Sequence, residues 1–378
     1  MTFRERTLAI FAHKPVDCIV YQPRIEHWFW THQREGTLPE RYKDMSDIEL
    51  YDDIGCSCRS YHFFNPCLKV MDDPSVRFEE EWQGDIQVIR HVTPVGTIET
   101  RNRHTSLAWH TDKYPVETPD DTRVMEYILE GRRYEFDRDL FAQNDALLGD
   151  RSAPMMYILR VNLLRLYIEI MGIENTMYAL ADDLPMVERL IEAVNRSDDG
   201  LLRAAAESPV PIINFGDNVD QHLVPPPLFE RYVLPEYQRR IRVLKAAGKF
   251  TNAHWDGSIK HLLPYARQTG LDGIEAPTPI PQGDVTIREI KEALGDMVVL
   301  DGIPMTWFLP HEKNEDLERV TREIIETFSP NLILGVSDEI SPVCDIEKVR
   351  LVGDIVKEYE KKGDDSEAGC QRRSGSGI

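Results

Sequence analysis

The sequence of 378 residues has no long hydrophobic run and an excess of acids over bases. No stretch approaches the roughly 20 apolar residues that a membrane-spanning helix needs. Its 44 Lys and Arg face 65 Asp and Glu, a net charge of −21, which argues against nucleic acid because phosphate binding needs clustered cations. The start, MTFRERTLAIFAHKP, lacks the apolar core of a secretory signal. We therefore expect a cytoplasmic protein with neither membrane nor nucleic acid as a partner.

Cysteine is also scarce, and its spacing argues against a disulfide framework. The six cysteines fall at irregular intervals without a CxxC pair, so reduced thiols are the expected state. The sequence contains no Gly-rich dinucleotide turn and no internal repeat. With 42% hydrophobic residues, a chain of this length can bury a sizeable core.

Eight short apolar segments alternate along the chain with segments of helical periodicity. The segments cover residues 17–22, 54–60, 153–158, 210–215, 249–253, 271–275, 297–301 and 331–335. Strands that alternate with helices in this way predict an α/β fold, a (β/α)8 TIM barrel. An open, doubly wound sheet is the alternative, but the missing dinucleotide turn does not support it.

Two further segments depart from this alternation. Residues 76–112 alternate apolar and polar positions between glycines, which predicts a small antiparallel β meander inserted between strands 2 and 3. Residues 361–378 are small and polar, so we expect a disordered tail there. The organisation we predict is a single barrel domain over residues 1–360.

Polar side chains accumulate where the predicted strands end, which in such barrels is where functional residues lie. The fifth strand ends in TNAHWDG (251–257), and strand alternation sends His254 and Asp256 to the same side. A hydrogen-bonded acid–base pair without metal remains an open interpretation of these two, and helix capping is an alternative for Asp301. The remaining candidates at the strand ends are Asp217, Asn218, Glu275, Asp301, Asp338 and Glu339.

Three motifs resemble the uroporphyrinogen decarboxylase superfamily of barrels: GKFTNAHWDGSIKHLLPYARQTGLDGIEA, LDGIP and LILGVSDEISP. The resemblance extends from about residue 3 to 360. The superfamily includes porphyrinogen decarboxylases and corrinoid-dependent methyltransferases. The decarboxylases carry an arginine-rich stretch after the first strand, whereas QPRIEHWFW contains one arginine, Arg24. The resemblance therefore favours the methyltransferase branch.

Within that branch, zinc is typically bound by His-x-Cys after the fifth strand and Cys after the eighth, and an acid after the sixth can complete the site. At the matching positions, carboxylates replace both thiolates here. The zinc ligands implied by the resemblance are His254, Asp256, Glu275 and Asp338. Such a harder ligand set leaves zinc a stronger Lewis acid, which suits the oxygen of an ether.

The resemblance then implies an O-demethylating methyltransferase, similar to the aryl methyl ether enzymes of anaerobic bacteria and archaea. It would move the methyl group of a methoxybenzoate-like ether to the Co(I) corrinoid of a separate corrinoid protein. Asp217, Asn218 and Asp301 are the expected catalytic residues. The aromatic residues expected to suit the ring are Tyr21, Trp28, Phe29, Trp30, Phe215 and Trp307, with Arg24 or Arg160 for a ring carboxylate. A purely structural core is the alternative for the aromatics at 28–30.

Several alternatives stay open at this point. A metal-free lyase acting on a carboxylated substrate, a methylcorrinoid:thiol methyltransferase, and a non-enzymatic partner of a corrinoid protein are the competing functions. Glu339 or Cys344 could replace Asp338 as the last ligand. The identity of the native metal and the formation of a homodimer are likewise open.

Overall fold

A computed structural model describes residues 1–105 and 108–373 of the chain. Its strands are β1 (Val20–Tyr21), β2 (Leu68–Met71), β3 (Arg77–Gln83), β4 (Ile86–Thr93), β5 (Gly96–His104), β6 (Trp109–Lys113), β7 (Arg133–Phe136), β8 (Met155–Ile158), β9 (Ile212–Phe215), β10 (Phe250–His254), β11 (Gly273–Glu275), β12 (Val298–Pro304) and β13 (Leu332–Ser337). Its α-helices are α1 (Phe3–Phe11), α2 (Glu26–Glu35), α3 (Asp47–Ile54), α4 (Tyr61–Phe64), α5 (Pro119–Gly131), α6 (Arg138–Leu148), α7 (Asn162–Arg165), α8 (Ile173–Asp182), α9 (Leu184–Glu207), α10 (Pro226–Leu228), α11 (Leu234–Ala246), α12 (Ala266–Thr269), α13 (Ile287–Leu294), α14 (Asn314–Phe328) and α15 (Ile346–Arg373).

The centre of the fold is a curled sheet of seven parallel strands in the order β1, β13, β12, β11, β10, β9, β8. Strands β9, β11, β12 and β13 are buried along their whole length, as expected for a parallel sheet covered by helices. The fold is therefore α/β and resembles a TIM barrel. The carboxyl ends of all seven strands meet at one rim, which is where the sequence places its candidate residues.

One of the eight predicted strands is wrong. Residues 54–60 contain the end of α3 and a segment without strand pairing, between the sheet edges β1 and β8. The segment still bonds to both edges, because Ser57 N donates to Tyr21 O at 2.8 Å and Met155 N donates to Ser60 Oγ at 3.0 Å. The side-chain oxygen of Ser60 thus accepts a hydrogen bond that a main-chain carbonyl would accept if this segment were a strand of the sheet.

The predicted antiparallel meander is present. Strands β3, β4, β5 and β6 pair in sequence order into a four-stranded sheet over residues 77–104 and 109–113. Residues 106–107 of the predicted meander lie outside the described residues. Its place between barrel strands 2 and 3 remains a prediction, because the segment assigned to strand 2 is not a strand. A second small sheet, in which β2 pairs with β7, was not expected from the sequence.

Helix starts follow local sequence signals. The first helix begins with a capping box in which Thr2 and Glu5 exchange side-chain hydrogen bonds with each other's backbone N–H. The same device starts α3, α5 and α13. Helix α15 continues to Arg373, within the segment expected to be disordered; residues 374–378 of that segment lie outside the described residues, and the disordered tail stays a prediction. None of the described helices combines the length and apolar character needed to cross a membrane.

Candidate metal centre

The candidate centre is built around His254, the last residue of β10. Its side chain is buried, and its Nε2 lies 3.3 Å from Asp338 Oδ1 and 3.6 Å from Asp256 Oδ2. One ligand atom from each of the three residues lies within 4.8 Å of the others. Among the described residues, this is the only group of three such side chains close enough to hold one ion. Residues predicted from the ends of two separate strands, β10 and β13, therefore lie close together in the structure.

Glu275, predicted as a fourth ligand, lies on the opposite side of the imidazole ring. It ends β11 directly opposite His254 in the parallel register and is fully buried. Five side-chain donors surround its carboxylate: His254 Nδ1 (2.8 Å), Tyr157 Oη (2.6 Å), Asn214 Nδ2 (2.6 Å), Tyr61 Oη (2.8 Å) and Arg59 Nη2. Both carboxylate oxygens are thus occupied, and Glu275 is not in the group around Nε2.

These partners determine the tautomer of His254. Arg59 Nη2 and Asn214 Nδ2 can only donate, and each meets a different oxygen of Glu275, so both carboxylate oxygens are acceptors. His254 must then donate from Nδ1, which leaves Nε2 with its lone pair toward Asp256 and Asp338. A bare nitrogen next to two carboxylates is unfavourable unless a cation, either a proton or a metal ion, lies between them.

The pKa values reflect that demand for positive charge. Burial opposes ionisation of Glu275, but the charge of Arg59 and the hydrogen bond from His254 outweigh it and hold the pKa of Glu275 well below its usual range. Burial also disfavours a charged His254. The charge of Asp338 and the hydrogen bonds to Asp256 and Glu275 prevail and raise the pKa of His254 to about 10. A metal ion at this position would therefore compete with a proton.

Each outer carboxylate has a different neighbour. Arg24 forms an ion pair with Asp338 and lies 3.5 Å from Glu339. Asn218 Nδ2 donates to Asp256 Oδ2 at 3.2 Å. Asn218 has a φ of 51°, a left-handed conformation that Asn tolerates better than most residues. The guanidinium group of Arg24 thus faces Asp338, while the neutral amide of Asn218 faces Asp256.

The structure does not place Asp217 and Asp301, both predicted as catalytic, among the ligands. Asp217 is buried and accepts from Val161 N at 2.8 Å and Tyr237 Oη at 2.6 Å. Asp301 is buried in a two-pronged ion pair with Arg59, at 2.8 and 3.0 Å, and burial raises its pKa. Both carboxylates hold neighbouring elements together, which leaves Asn218 as the predicted catalytic residue that faces open space.

Two cavities adjoin the centre. The first cavity has a volume of about 510 Å³, and its walls include His254, Asp338, Arg24, Asn218, Arg160 and Tyr157. The second cavity has a volume of about 440 Å³, and its walls include Arg24, Arg59, Glu26, Trp30, Tyr157 and His62. Arg24, Asn65 and Tyr157 line both, so the two spaces are neighbours.

Of the aromatic residues predicted to suit a ring, Trp30 lines the second cavity, and Tyr21, Trp28, Phe29, Phe215 and Trp307 line neither. Tyr21 and Trp28 are buried and donate to backbone carbonyls, those of Val349 and Cys344 respectively. Phe215 is stacked on Tyr237, and Trp307 packs against the core. Trp28 therefore lies in the core, as in the alternative of a purely structural role for the aromatics at 28–30. The aromatic residues that reach the cavities are Trp30, Tyr61 and Tyr157.

Four residues of the centre went unnoticed in the sequence: Arg59, Tyr61, Tyr157 and Asn214. Tyr157 lies near the end of the predicted third strand, so the strand-end rule could have identified it. Arg59 is the charged residue of the segment 54–60, at which a strand was wrongly predicted. Asn214 lies inside β9, where no sequence signal separates it from a structural residue.

Comparisons with known proteins show the family and the fold of this chain. A family model described as uroporphyrinogen decarboxylase (URO-D) matches residues 164–359, slightly more than half of the chain, including all three residues of the group. No curated protein matches the sequence. Among solved structures, a methyltransferase from Methanosarcina mazei has 13% identity and a TM-score of 0.61, with 95% of this chain and 99% of that chain covered.

A second similar structure is a B12-independent methionine synthase from Shewanella sp. W3-18-1, in complex with selenomethionine. It has 11% identity and a TM-score of 0.44, with 88% of this chain and 92% of that chain covered. That similarity is too distant to support an argument, and the likeness to the Methanosarcina protein shows a common fold alone.

Proposed function

Because this chain belongs to the uroporphyrinogen decarboxylase family, we propose that it is a methyltransferase that demethylates an aromatic methyl ether. The methyl group would pass to the Co(I) corrinoid of a separate corrinoid protein, and a divalent metal, zinc, would be held by His254, Asp256 and Asp338. The observation that carries the proposal is the convergence of one imidazole and two carboxylates beside a cavity of about 510 Å³. The description of the Methanosarcina protein as a methyltransferase supports this reaction class.

The three side chains fit a catalytic zinc ion. Such sites commonly use three protein ligands and keep one position open. The first cavity reaches His254 and Asp338, and therefore offers room for a substrate atom at that position. Glu275 binds the other nitrogen of His254 at 2.8 Å, and metal-binding histidines are generally oriented by such a partner.

When bound, zinc would polarise the ether oxygen as a Lewis acid, and the corrinoid would supply the nucleophile that takes the methyl group. The chain's own residues prepare that site. Glu275 fixes the ring of His254, and Asn218 orients Asp256. Arg24 draws negative charge from Asp338, which makes that carboxylate a weaker donor and leaves the metal more electrophilic.

A ring carboxylate, if the substrate has one, would meet Arg24 or Arg160 in the first cavity. Arg160 donates to Asn218 Oδ1 at 2.9 Å and lies 3.0 Å from Glu169. Both arginines are therefore already held by the protein, so a substrate carboxylate would have to share them.

The same pairing weakens the alternative of a metal-free decarboxylase. That reaction on a carboxylated substrate needs cations free to hold the substrate, but Arg24, Arg59 and Arg160 each pair with a carboxylate of the protein. A zinc that activates a thiol is expected to have thiolate ligands. No cysteine belongs to the group found in the described residues, so the ether reaction is favoured.

The test combines metal content with methyl transfer. Protein stripped by a chelator and reloaded with zinc should retain about one equivalent, and His254→Ala should retain none. His311→Ala is the matched control, because His311 is largely exposed and outside the centre. With a reduced corrinoid protein and a panel of methoxybenzoates, the cobalt spectrum should report methyl–Co(III) only with the wild type and the control.

Two outcomes would contradict the proposal. Methyl transfer by fully metal-free protein would remove the role of zinc. Release of carbon dioxide from an aromatic acid, without any corrinoid protein, would instead support the lyase.

A further inference from the structure

The second cavity has no role in the proposed methyl transfer. Its volume is about 440 Å³, within the range of small-molecule sites, and none of the residues in the metal-binding group lines it. Two side chains on its walls reach solvent, since Trp30 is 42% exposed and the Glu339 side chain is 36% exposed. A ligand can therefore enter this cavity directly from solvent.

One face of α2 supplies the cavity with both a carboxylate and an aromatic ring. Glu26 and Trp30 are four positions apart in this helix, which places them on the same face, and both line the cavity. The indole of Trp30 meets the imidazole of His62 at 5.1 Å in a T-shaped contact. Among side chains, the face of an indole attracts a cation most strongly. The helix thus presents a negative charge beside a surface that favours cations.

Glu26 has a carboxylate oxygen that no side chain satisfies. The residue is 9% exposed, and its Oε1 accepts from Tyr51 Oη at 2.9 Å and lies 3.5 Å from His62 Nδ1. His62 is shared, because its Nε2 lies 3.2 Å from Asp47 Oδ2. No side chain in the described part of the chain donates to Oε2 of Glu26, and burial raises the pKa of Glu26. A buried carboxylate is costly without a donor or a counter-charge, so Oε2 indicates a positive group supplied by a ligand.

The charges around the cavity also favour a cation. Its walls carry two arginines, Arg24 and Arg59, but carboxylates outside the cavity already pair with both. These partners are Asp338 for Arg24, and Glu275 and Asp301 for Arg59. Glu26 and Glu339 on the walls then leave more carboxylates than guanidinium groups, and a divalent ion at His254 would not cancel the surplus. A cationic ligand therefore meets a more favourable potential here than an anionic one.

We propose that the second cavity binds a small organic cation with an alkylated ammonium group. The ammonium group would lie against the indole of Trp30, with the carboxylates of Glu26 and Glu339 as its counter-charges. Aromatic surfaces are a common binding partner of such alkylated cations. The site is independent of the proposed methyl transfer, because neither the metal-binding group nor a methyl acceptor takes part in it.

Three ligands of matched shape test the proposal: choline, its uncharged isostere 3,3-dimethylbutan-1-ol, and the anion 3,3-dimethylbutanoate. Isothermal titration calorimetry on metal-free protein gives the dissociation constants. We expect choline to bind about tenfold more tightly than the alcohol, because only choline carries the positive charge. The anion should bind more weakly than both. Added sodium chloride should reduce the preference for choline, since salt screens the two carboxylates.

Variants locate the binding in the second cavity. Trp30→Ala should weaken the binding of choline about tenfold, and Trp30→Phe should restore most of it because Phe keeps an aromatic face. Trp109→Ala is the matched control, because Trp109 is similarly exposed on β6 and lines neither cavity. Glu26→Gln should weaken the binding of choline and leave that of the alcohol unchanged, since only the charge is removed.

The proposal is overturned if the alcohol binds as tightly as choline, if Trp30→Ala binds choline like the wild type, or if choline does not bind. Failure of the proposed function is seen separately, as absent methyl transfer to the corrinoid protein. Because choline binding is measured on metal-free protein without any corrinoid protein, that failure leaves the result for the second cavity unchanged.

Discussion

Carboxylates lie on both sides of the His254 ring, and the two sides differ in how many hydrogen bonds these carboxylates accept. On the inner side, Glu275 is fully buried and accepts from five donors. On the outer side, the side chains of Asp256 and Asp338 are 26% and 32% exposed. Asp256 accepts from Asn218, and Asp338 accepts from Arg24. A carboxylate whose lone pairs are satisfied is a structural acceptor, and one with free lone pairs is available to a cation.

The largest expected effect on stability comes from the inner side. Glu275→Ala should lower the free energy of unfolding by about 3–5 kcal/mol, because it leaves buried donors unsatisfied and Arg59 only partly paired. Glu339→Ala, which removes a partly exposed partner of Arg24, should cost less than about 1 kcal/mol. Urea denaturation of both variants measures the difference. Equal losses would abolish the distinction between the two sides.

The outer side should instead dominate metal binding. Asp338→Asn is expected to reduce zinc affinity about 100-fold or more, with a change in unfolding free energy below about 1 kcal/mol. Glu339→Gln and Cys344→Ser should keep the wild-type affinity, since neither residue belongs to the group around Nε2. Competition with a chromophoric chelator gives the affinities. Loss of zinc in the Cys344 variant would reassign the last ligand.

The smallest effect concerns the residue that orients an outer ligand. Asn218→Gly removes the hydrogen bond to Asp256 but tolerates the φ of 51°, so zinc affinity should fall about tenfold with little change in stability. Asn218→Ala should show the same loss of affinity and an added cost of about 1 kcal/mol from backbone strain. The same chelator competition and thermal unfolding separate the two contributions. Unchanged zinc affinity in both variants would show that Asp256 needs no orienting partner.

Periodicity predicted much of the fold. Seven of the predicted strands are in the parallel sheet and the meander is present, because strands and helices bury apolar residues at different intervals. The strand predicted at 54–60 was wrong, since its apolar residues are buried without a strand ladder. The same rule that located strand ends also located His254, Asp256 and Asp338, whose ligand atoms lie close together.

The roles of individual acids were harder to predict. Asp217 follows β9, Glu275 ends β11 and Asp301 lies inside β12, but all three are enclosed by donors from other elements. Trp28 and Trp30 are two positions apart, and one is in the core while the other lines a cavity. Spacing along the chain does not reveal which neighbours a side chain meets.

The amino-acid sequence alone determined that polar residues from several strands lie at one rim of the sheet, because alternation and strand length are local properties of the chain. Only the tertiary structure decided which carboxylates are saturated and which are free. Hydrogen-bond partners of Glu275 come from residues 59, 61, 157, 214 and 254, and their convergence is a property of the folded sheet. The number of hydrogen bonds that each carboxylate accepts, and not its residue type, therefore distinguishes Glu275, which supports this centre, from Asp256 and Asp338, which are its candidate ligands.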